Sequence, residues 1–382
     1  MYLVGDFAPQ DANPTFPDVG DELVLANLEG PICSNEAPDK IKVGVHIRNK
    51  PMVLPGRWAF ALANNHVMDY GEEGLFATRR FLNESRFPYA GAGASEQEAR
   101  EPMRIVEGGK QIIVFSCCEQ QFGVAESYPS KAGVAAKGEW LLDAVAREKR
   151  DGADCVIVSC HCGCEFSSFA SPILQGFYHR LLDAGADVVH GHHSHVPQGW
   201  ESYKGKPIFY GLGNFIVDKK AWSANPHYKW SLMAHLDFSN DRMSWSIVPI
   251  GDVPVGVEDY LNAINLGFRD SRLMKPLWQE SCVQSYYGIY RRYLRIVDGR
   301  LSGLRFRDRA RMACWALKDI WNACLKRKTP PKWGIRHEKI LYHYFNCESH
   351  RDAIATALGV LNGITADLRT EESRTVLRRT QA

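Results

Sequence analysis

Short apolar runs that each end on polar residues able to bind a metal recur through residues 1–220. Tyr2-Leu3-Val4 precedes Gly5 and Asp6, and Leu23-Val24-Leu25-Ala26 precedes Asn27, Leu28 and Glu29. Trp58-Ala59-Phe60-Ala61-Leu62 leads into Ala63, Asn64, Asn65 and His66. Cys155-Val156-Ile157-Val158 leads into Ser159, Cys160 and His161, and Asp187-Val188-Val189 into His190, Gly191, His192, His193, Ser194 and His195. Such runs, bounded by turn residues, predict buried strands. Helical patterns lie between them at Glu72–Glu84, Trp140–Arg150 and Gln175–Ala184, the last closed by Gly185. Strands alternating with helices predict an α/β layered domain, whose sites form beyond the carboxyl ends of the strands. Five ligand-bearing loops are therefore expected to converge on one edge.

The pattern changes near residue 256. Glu258–Phe268, Leu277–Leu294, Arg305–Lys326 and His337–Tyr344 read as helices, with aromatic stripes of the kind that fill cores. Lys326–Trp333 reads as a basic, proline-broken linker, Ala353–Leu361 as a short helix and Arg374–Ala382 as a frayed end. The division expected is an α/β domain over 1–255 and a basic, mainly helical region over 256–382.

Composition narrows the class. The chain has 382 residues, 45% hydrophobic, 24% charged and 11% aromatic, which excludes a disordered chain, a collagen-like repeat and a disulfide-dense miniprotein. A net charge of +2 hides an asymmetry: residues 256–382 carry 23 Lys/Arg and 13 Asp/Glu, so the rest is acidic. The basic part suits either a solvated helical face or contact with phosphate-rich partners or an anionic membrane surface. Eleven Cys, several inside apolar runs, read as small hydrophobes. With no secretory signal and no long apolar span, the expectation is a cytoplasmic protein, peripheral at most to the inner face of the membrane. No nucleic-acid module signature is present, so no nucleic-acid partner is expected.

Asp, Glu, Asn and several His form a mixed oxygen and nitrogen set, which suits Mn, Fe or Zn better than Ca or Mg. Five or more ligands exceed the three protein ligands usual for a catalytic zinc. Two ions about 3.5–4 Å apart would use them all, activating a water and clamping both oxygens of a displacement. His190 and His192 read as buried support, with Gly191 allowing a sharp turn. Cys160, Cys162 and Cys164 lack structural-zinc spacing and read as packing thiols. Glu165 either orients substrate or acts as a base, or is a surface acid. Gly91-Ala92-Gly93 reads as a strand-end turn, Asn214 as lining the rim, and Asp69 and Tyr70 as anchors of the His66 loop.

These residues resemble the CapA-type family, the poly-gamma-glutamate capsule synthesis proteins, whose domain is similar to calcineurin-like metallophosphatases. The matching stretches are Gly5-Asp6, Asn27-Leu28-Glu29, Ala63–Gly71, Gly91–Gly93, His161–Glu165, Asp183–Asp187, Gly191–Val196 and Lys204–Phe215. They cover roughly residues 1–255. The resemblance implies a four-layer metallophosphatase-like sandwich of mixed β-sheets flanked by helices, with a C-terminal helical appendage. It implies two divalent metal ions held by Asp6, the bridging Glu29, Asn65, His161, His193 and His195, with His66 and Glu165 as catalytic groups. Ala8 replaces a frequent ligand His, the bridging residue is Glu rather than Asp, and Cys162 stands where Trp is common.

The function this implies is a metal-dependent hydrolase acting on phosphate ester, amide or ester bonds, or a transferase, in the biosynthesis of a capsule or other cell-surface polymer. The partner is then that polymer or its phosphorylated precursor. The alternative is a non-catalytic assembly factor whose basic helices dock a biosynthetic complex. A nucleic-acid phosphodiesterase ranks last, for want of a binding module.

Overall fold

The computed structural model describes residues 1–10, 14–33, 45–124, 132–218, 225–239, 242–291 and 342–381, with scattered positions between 294 and 324. Two mixed β-sheets and flanking helices form the main body. The first sheet contains β1 (Tyr2–Ala8), β2 (Leu23–Leu28), β3 (Arg57–Ala61) and β4 (Tyr89–Ala90) in parallel order. A two-stranded ribbon pairs β5 (Ala92–Gly93) with β8 (Gly133–Val134). The second sheet runs through β6 (Met103–Glu107), β7 (Lys110–Cys118), β9 (Cys155–His161) and β10 (Val188–His192), then β12 (Lys206–Phe209) and its edge partner β11 (Trp200–Tyr203). β7, β9, β10 and β12 are parallel. β13 (Asn214–Val217) returns to the first sheet beside β1, and the hairpin of β14 (Trp230–Asp237) and β15 (Ser244–Gly251) closes that sheet.

Side-chain alternation sorts the strands into layers. Leu3, Leu25 and Ala59 of the first sheet face Ile112, Val114, Ile157 and Val188 of the second in one buried cluster. Val4, Val24, Trp58 and Phe60 point the other way, where Leu75 and Leu82 of helix α1 (Gly71–Glu84) cover them. On the far side of the second sheet, Val156 and Val158 pack with α3 (Glu139–Arg150) and α4 (Pro172–Ala184). A short α2 (Glu96–Arg100) is capped by Ser95. Helix, sheet, sheet and helix make four layers. The ligand-bearing strand ends thus belong to two facing sheets rather than one edge, because a local pattern cannot tell which sheet a strand will join.

The chain divides into two compact units, Met1–Ser281 with Leu368–Ala382, and Cys282–Asp367. The first unit therefore continues past residue 255 through α5 (Val257–Arg269) and most of α6 (Ser271–Ser285). The helix expected over Leu277–Leu294 divides between α6 and a π-helical turn at Tyr286–Tyr290. In the second unit α7 (Glu348–Leu361) supplies His350, whose Nδ1 lies 2.8 Å from the Tyr290 hydroxyl. The stretches Arg305–Lys326, Lys326–Trp333 and His337–Tyr344 lie largely outside the described residues.

The end expected to fray is instead α8 (Glu371–Arg379). Thr370 and Ser373 cap its start reciprocally, with Ser373 N–H donating to Thr370 Oγ1 at 3.1 Å and Thr370 N–H to Ser373 Oγ at 2.9 Å. Val376 and Leu377 are buried with Ala263, Leu273 and Leu277, so both a cap and an apolar face hold the helix.

Candidate metal centre

Two fully buried carboxylates come from the first sheet. Asp6 lies on β1, where the pairing register shifts against both β2 and β13. Such irregularities re-aim a side chain. Its Oδ1 accepts a hydrogen bond from Asn27 Nδ2 at 2.7 Å, and its Oδ2 accepts one from His193 N–H at 3.3 Å. Glu29 follows β2, with its N–H donating to Phe7 O at 3.0 Å. Its Oε1 lies 3.6 Å from His195 Nε2 and 4.0 Å from His66 Nε2. After β3, Asn64 Oδ1 accepts the N–H groups of His66 and Val67 at 3.1 and 2.9 Å. This side-chain turn, typical of Asn, fixes where Asn65 and His66 project.

The second sheet supplies histidines. His161 and His192 end β9 and β10 in matched register. Their Nδ1 atoms lie 2.9 Å apart, and His161 Nε2 lies 3.0 Å from Asn65 Oδ1. The His193 ring centroid is 4.2 Å from that of His161. His195 Nδ1 lies 3.3 Å from Asp6 Oδ2 and 3.0 Å from Asn214 Oδ1. His193 and His195 have φ of 93° and 57°. Non-glycine residues held there are strained, and such strain clusters at functional sites. Gly191 is not a turn residue: it lies within β10, where a Cβ would sit 2.2 Å from Tyr210 O, so close backbone approach demands glycine.

Burial and charge act against each other here. Burial disfavours the charged form of Asp6, yet His195, His192 and Asn27 hold its carboxyl below the usual range. Burial also opposes a charge on His195, but Glu29 and Asp6 outweigh it and push its pKa up to about 10. His161 and His192 go the other way, pushed well down by burial and neighbouring imidazoles. Burial lowers His190 to about 4. Neutral imidazoles and ionised carboxylates are the forms that bind metal.

The residues singled out in the sequence, Asp6, Glu29, Asn65, His161, His193 and His195, all gather here, with His66 beside them. Donor atoms of Asp6, Glu29 and His195 lie within 4.8 Å of one another, as do those of Asp6, His161 and His192, and those of Glu165, His193 and His195. Glu165 is therefore at the centre rather than an isolated surface acid. Asp6 and His195 each belong to two groups. These buried oxygen and nitrogen donors fit divalent ions. Cys160 and Cys162 are buried in the core behind the second sheet.

Sequence reasoning missed Glu119. It is buried just past β7, accepts the Gly163 N–H at 3.1 Å and has Oε1 4.0 Å from His193 Nε2. It follows the apolar run Ile112–Phe115 only after Ser116, Cys117 and Cys118, which blur where that run ends.

Fold and site together define a two-sheet α/β domain with a buried carboxylate–histidine centre at its strand ends. The chain belongs to the family described as bacterial capsule synthesis protein PGA_cap, whose model matches residues 8–219. It is 33% identical over 241 residues to a probable polyglutamine synthesis accessory protein of Mycobacterium tuberculosis, covering 59% of this chain and 60% of that one. It is 28% identical over 209 residues to the capsule biosynthesis protein CapA of Bacillus anthracis, covering 52% and 51%. It is 30% identical over 204 residues to the PGA biosynthesis protein CapA of Bacillus subtilis, covering 52% and 54%. The chain thus spans about half to three fifths of the length of these relatives. Among solved structures, a 5'-nucleotidase precursor from Thermus thermophilus gives a TM-score of 0.33 at 16% identity, over 56% of this chain and 43% of that one. Among the described residues, no helix is long and apolar enough to cross a membrane.

Proposed function

We propose that this chain is a metal-dependent hydrolase or transferase acting on a phosphate ester, amide or ester bond in the synthesis of a capsule or polyglutamate-type polymer. The observation that carries this reading is the wholly buried Asp6–Glu29–His195 group, linked through shared members to His161, His192, His193 and Glu165. Asp6, Glu29 and His195 would hold one divalent ion, and Asn65, His161 and His193 a second. Such ions, when bound, supply Lewis-acid polarisation of a phosphoryl or carbonyl oxygen.

The chain's own acid–base group is His66. Its Nδ1 lies 2.7 Å from Asp69 Oδ2, which also accepts the Ile47 N–H at 2.8 Å. Asp69 fixes the ring so that Nε2 faces the Glu29 side, where the imidazolium can protonate a leaving oxygen. Replacing His66 by Ala should lower turnover by about 10²–10⁴-fold while metal content stays unchanged. Loss of the metal together with the activity would contradict this role. The reading is tested by screening the metal-loaded protein against phosphomonoesters, phosphodiesters and amides of polymer precursors.

A pH dependence follows from His195. Its pKa in the folded protein, about 10, lies above the ordinary 6.5. In the metal-free protein its charge therefore stabilises the fold fully below about pH 6.5, and that contribution is lost as pH rises through about 10. A divalent ion ligated by His195 must displace this proton. Apparent metal affinity should rise about tenfold per pH unit between pH 7 and 9, with about one proton released per ion in calorimetry. An affinity independent of pH over that range would remove His195 from the ligand set.

The second reading, a non-catalytic assembly factor, is favoured by the word accessory in the name of the mycobacterial relative. It predicts that a complete substrate screen finds no turnover, while polymer production still requires the protein.

A further inference from the structure

Beside the Asp6–Glu29–His195 group lies a small apolar cluster, separate from the cores between the layers. Ala8 and Ile47 are its fully buried members, and Val45, Phe166, Val217 and Tyr228 pack against them while staying partly exposed. Four contacts tie it to the centre. Ala8 follows Asp6 by two residues on β1 and pairs with Val217 of β13. Ile47 packs on the backbone next to Glu29, since a Cβ at Gly30 would lie 2.5 Å from Ile47 Cγ2. The Ile47 N–H donates to Asp69 Oδ2 at 2.8 Å, the same oxygen that faces His66 Nδ1. The Phe166 ring centroid is 5.6 Å from that of His195.

Phe166 carries the clearest sign of use. Its φ is 58°, a left-handed backbone that suits glycine and that bulky residues rarely adopt. Its N–H donates to Ser194 O at 2.8 Å, which fixes the loop one residue from His195. A turn alone would be served by glycine without strain, so the strained backbone is explained by the aromatic ring it keeps at the centre. None of the six side chains is charged, and the one hydroxyl among them, that of Tyr228, donates to Val217 O.

We propose that this cluster is a substrate subsite for the apolar alcohol portion of a phosphate ester, with Phe166 as its specificity-determining residue. The inference rests on the phosphate-ester branch of the reading above and narrows it. Position decides which part of the substrate meets the cluster. His66 protonates the leaving oxygen from the Glu29 side, and Ile47 is joined to that side through Asp69 and Gly30. The alcohol bonded to that oxygen therefore lies along Val45, Phe166 and Val217. On hydrolysis, water adds to phosphorus, the phosphorus–oxygen bond to the alcohol breaks, and the alcohol departs with the proton from His66. A sugar or glutamyl leaving group would set hydroxyls or carboxylates against side chains that offer no hydrogen bond in exchange for lost water. An alkyl or prenyl chain gains from the same surface.

Calorimetry of the Zn²⁺-loaded protein with methyl-, butyl- and hexylphosphonate, which cannot be hydrolysed, reads the subsite without turnover. Affinity should rise about tenfold or more from methyl to hexyl. Phe166→Ala should flatten the series, whereas Phe166→Leu, which keeps an apolar side chain, should retain most of its slope. Methyl, butyl and hexyl phosphate should follow the same order in kcat/KM. Equal binding of the three phosphonates by the wild type would overturn the subsite. So would an equal loss for all three in Phe166→Ala, the result expected of a cluster that only seals the centre from water. A rising phosphonate series in a protein that hydrolyses none of the phosphates leaves the subsite standing and overturns the phosphoesterase reading. A flat series with turnover of all three phosphates does the reverse, and a wild-type protein that binds neither Zn²⁺ nor phosphonate overturns both. The wild-type series needs no variant, so a misfolded substitution cannot shelter the proposal.

Discussion

Substituting Gly5 by Ala is expected to destabilise the protein by more than about 3 kcal/mol, a size reached only when something structural must break. A Cβ at Gly5 would lie 1.9 Å from Gly213 O, closer than any non-bonded contact. The obstacle is backbone, so no side-chain rotation relieves it. Gly213 O also accepts the Asp6 N–H at 2.9 Å, and Asn214 next to it contacts His195. Moving β13 away from β1 therefore disturbs both carriers of the centre together. Chemical denaturation measures the effect. A change below about 1 kcal/mol would show that β1 and β13 are not packed as described.

Asp6→Asn is expected to remove bound metal and to lower turnover by about 10³-fold or more, with the fold retained. Asp6 belongs to two of the three donor groups, one with Glu29 and His195 and one with His161 and His192, so losing its charge weakens both. Asn keeps the volume and one oxygen acceptor, so the Asn27 contact survives while the anion is lost. His195, now facing Glu29 with one carboxylate fewer, loses part of what holds its proton. The same variant separates the two functional readings. An enzyme loses polymer output along with its turnover, whereas an assembly factor keeps its output.

Much of the centre was legible because the chemistry and the strand pattern coincide. Each of Asp6, Glu29, Asn65 and His161 closes or follows an apolar run, and a strand end is where an α/β domain exposes its ligands. What was not legible is relational. The run before His161 looks like the run before Asp6, yet one strand lies in each sheet, and only long-range pairing decides that. Gly191 looks like turn chemistry, but its reason is the carbonyl of Tyr210, just past the neighbouring strand β12. His192 looks like passive support along the chain; only the pairing of β9 with β10 brings its Nδ1 to 2.9 Å from His161 Nδ1 and its donor atoms beside Asp6. Glu119 escaped because Ser116, Cys117 and Cys118 blur the end of its apolar run. The final helix hid behind a polar composition, because its stability comes from the Thr370–Ser373 cap and two buried side chains rather than a long apolar face.

The most direct test of the central claim is the transition-metal content of the purified protein, measured by mass spectrometry beside the Asp6→Asn variant after both are incubated with Mn²⁺ or Zn²⁺. About two ions per chain in the wild-type protein, lost in the variant, is the predicted result. A wild-type protein that retains no metal after that incubation, or a variant that retains as much as the wild type, would contradict a metal centre built on Asp6.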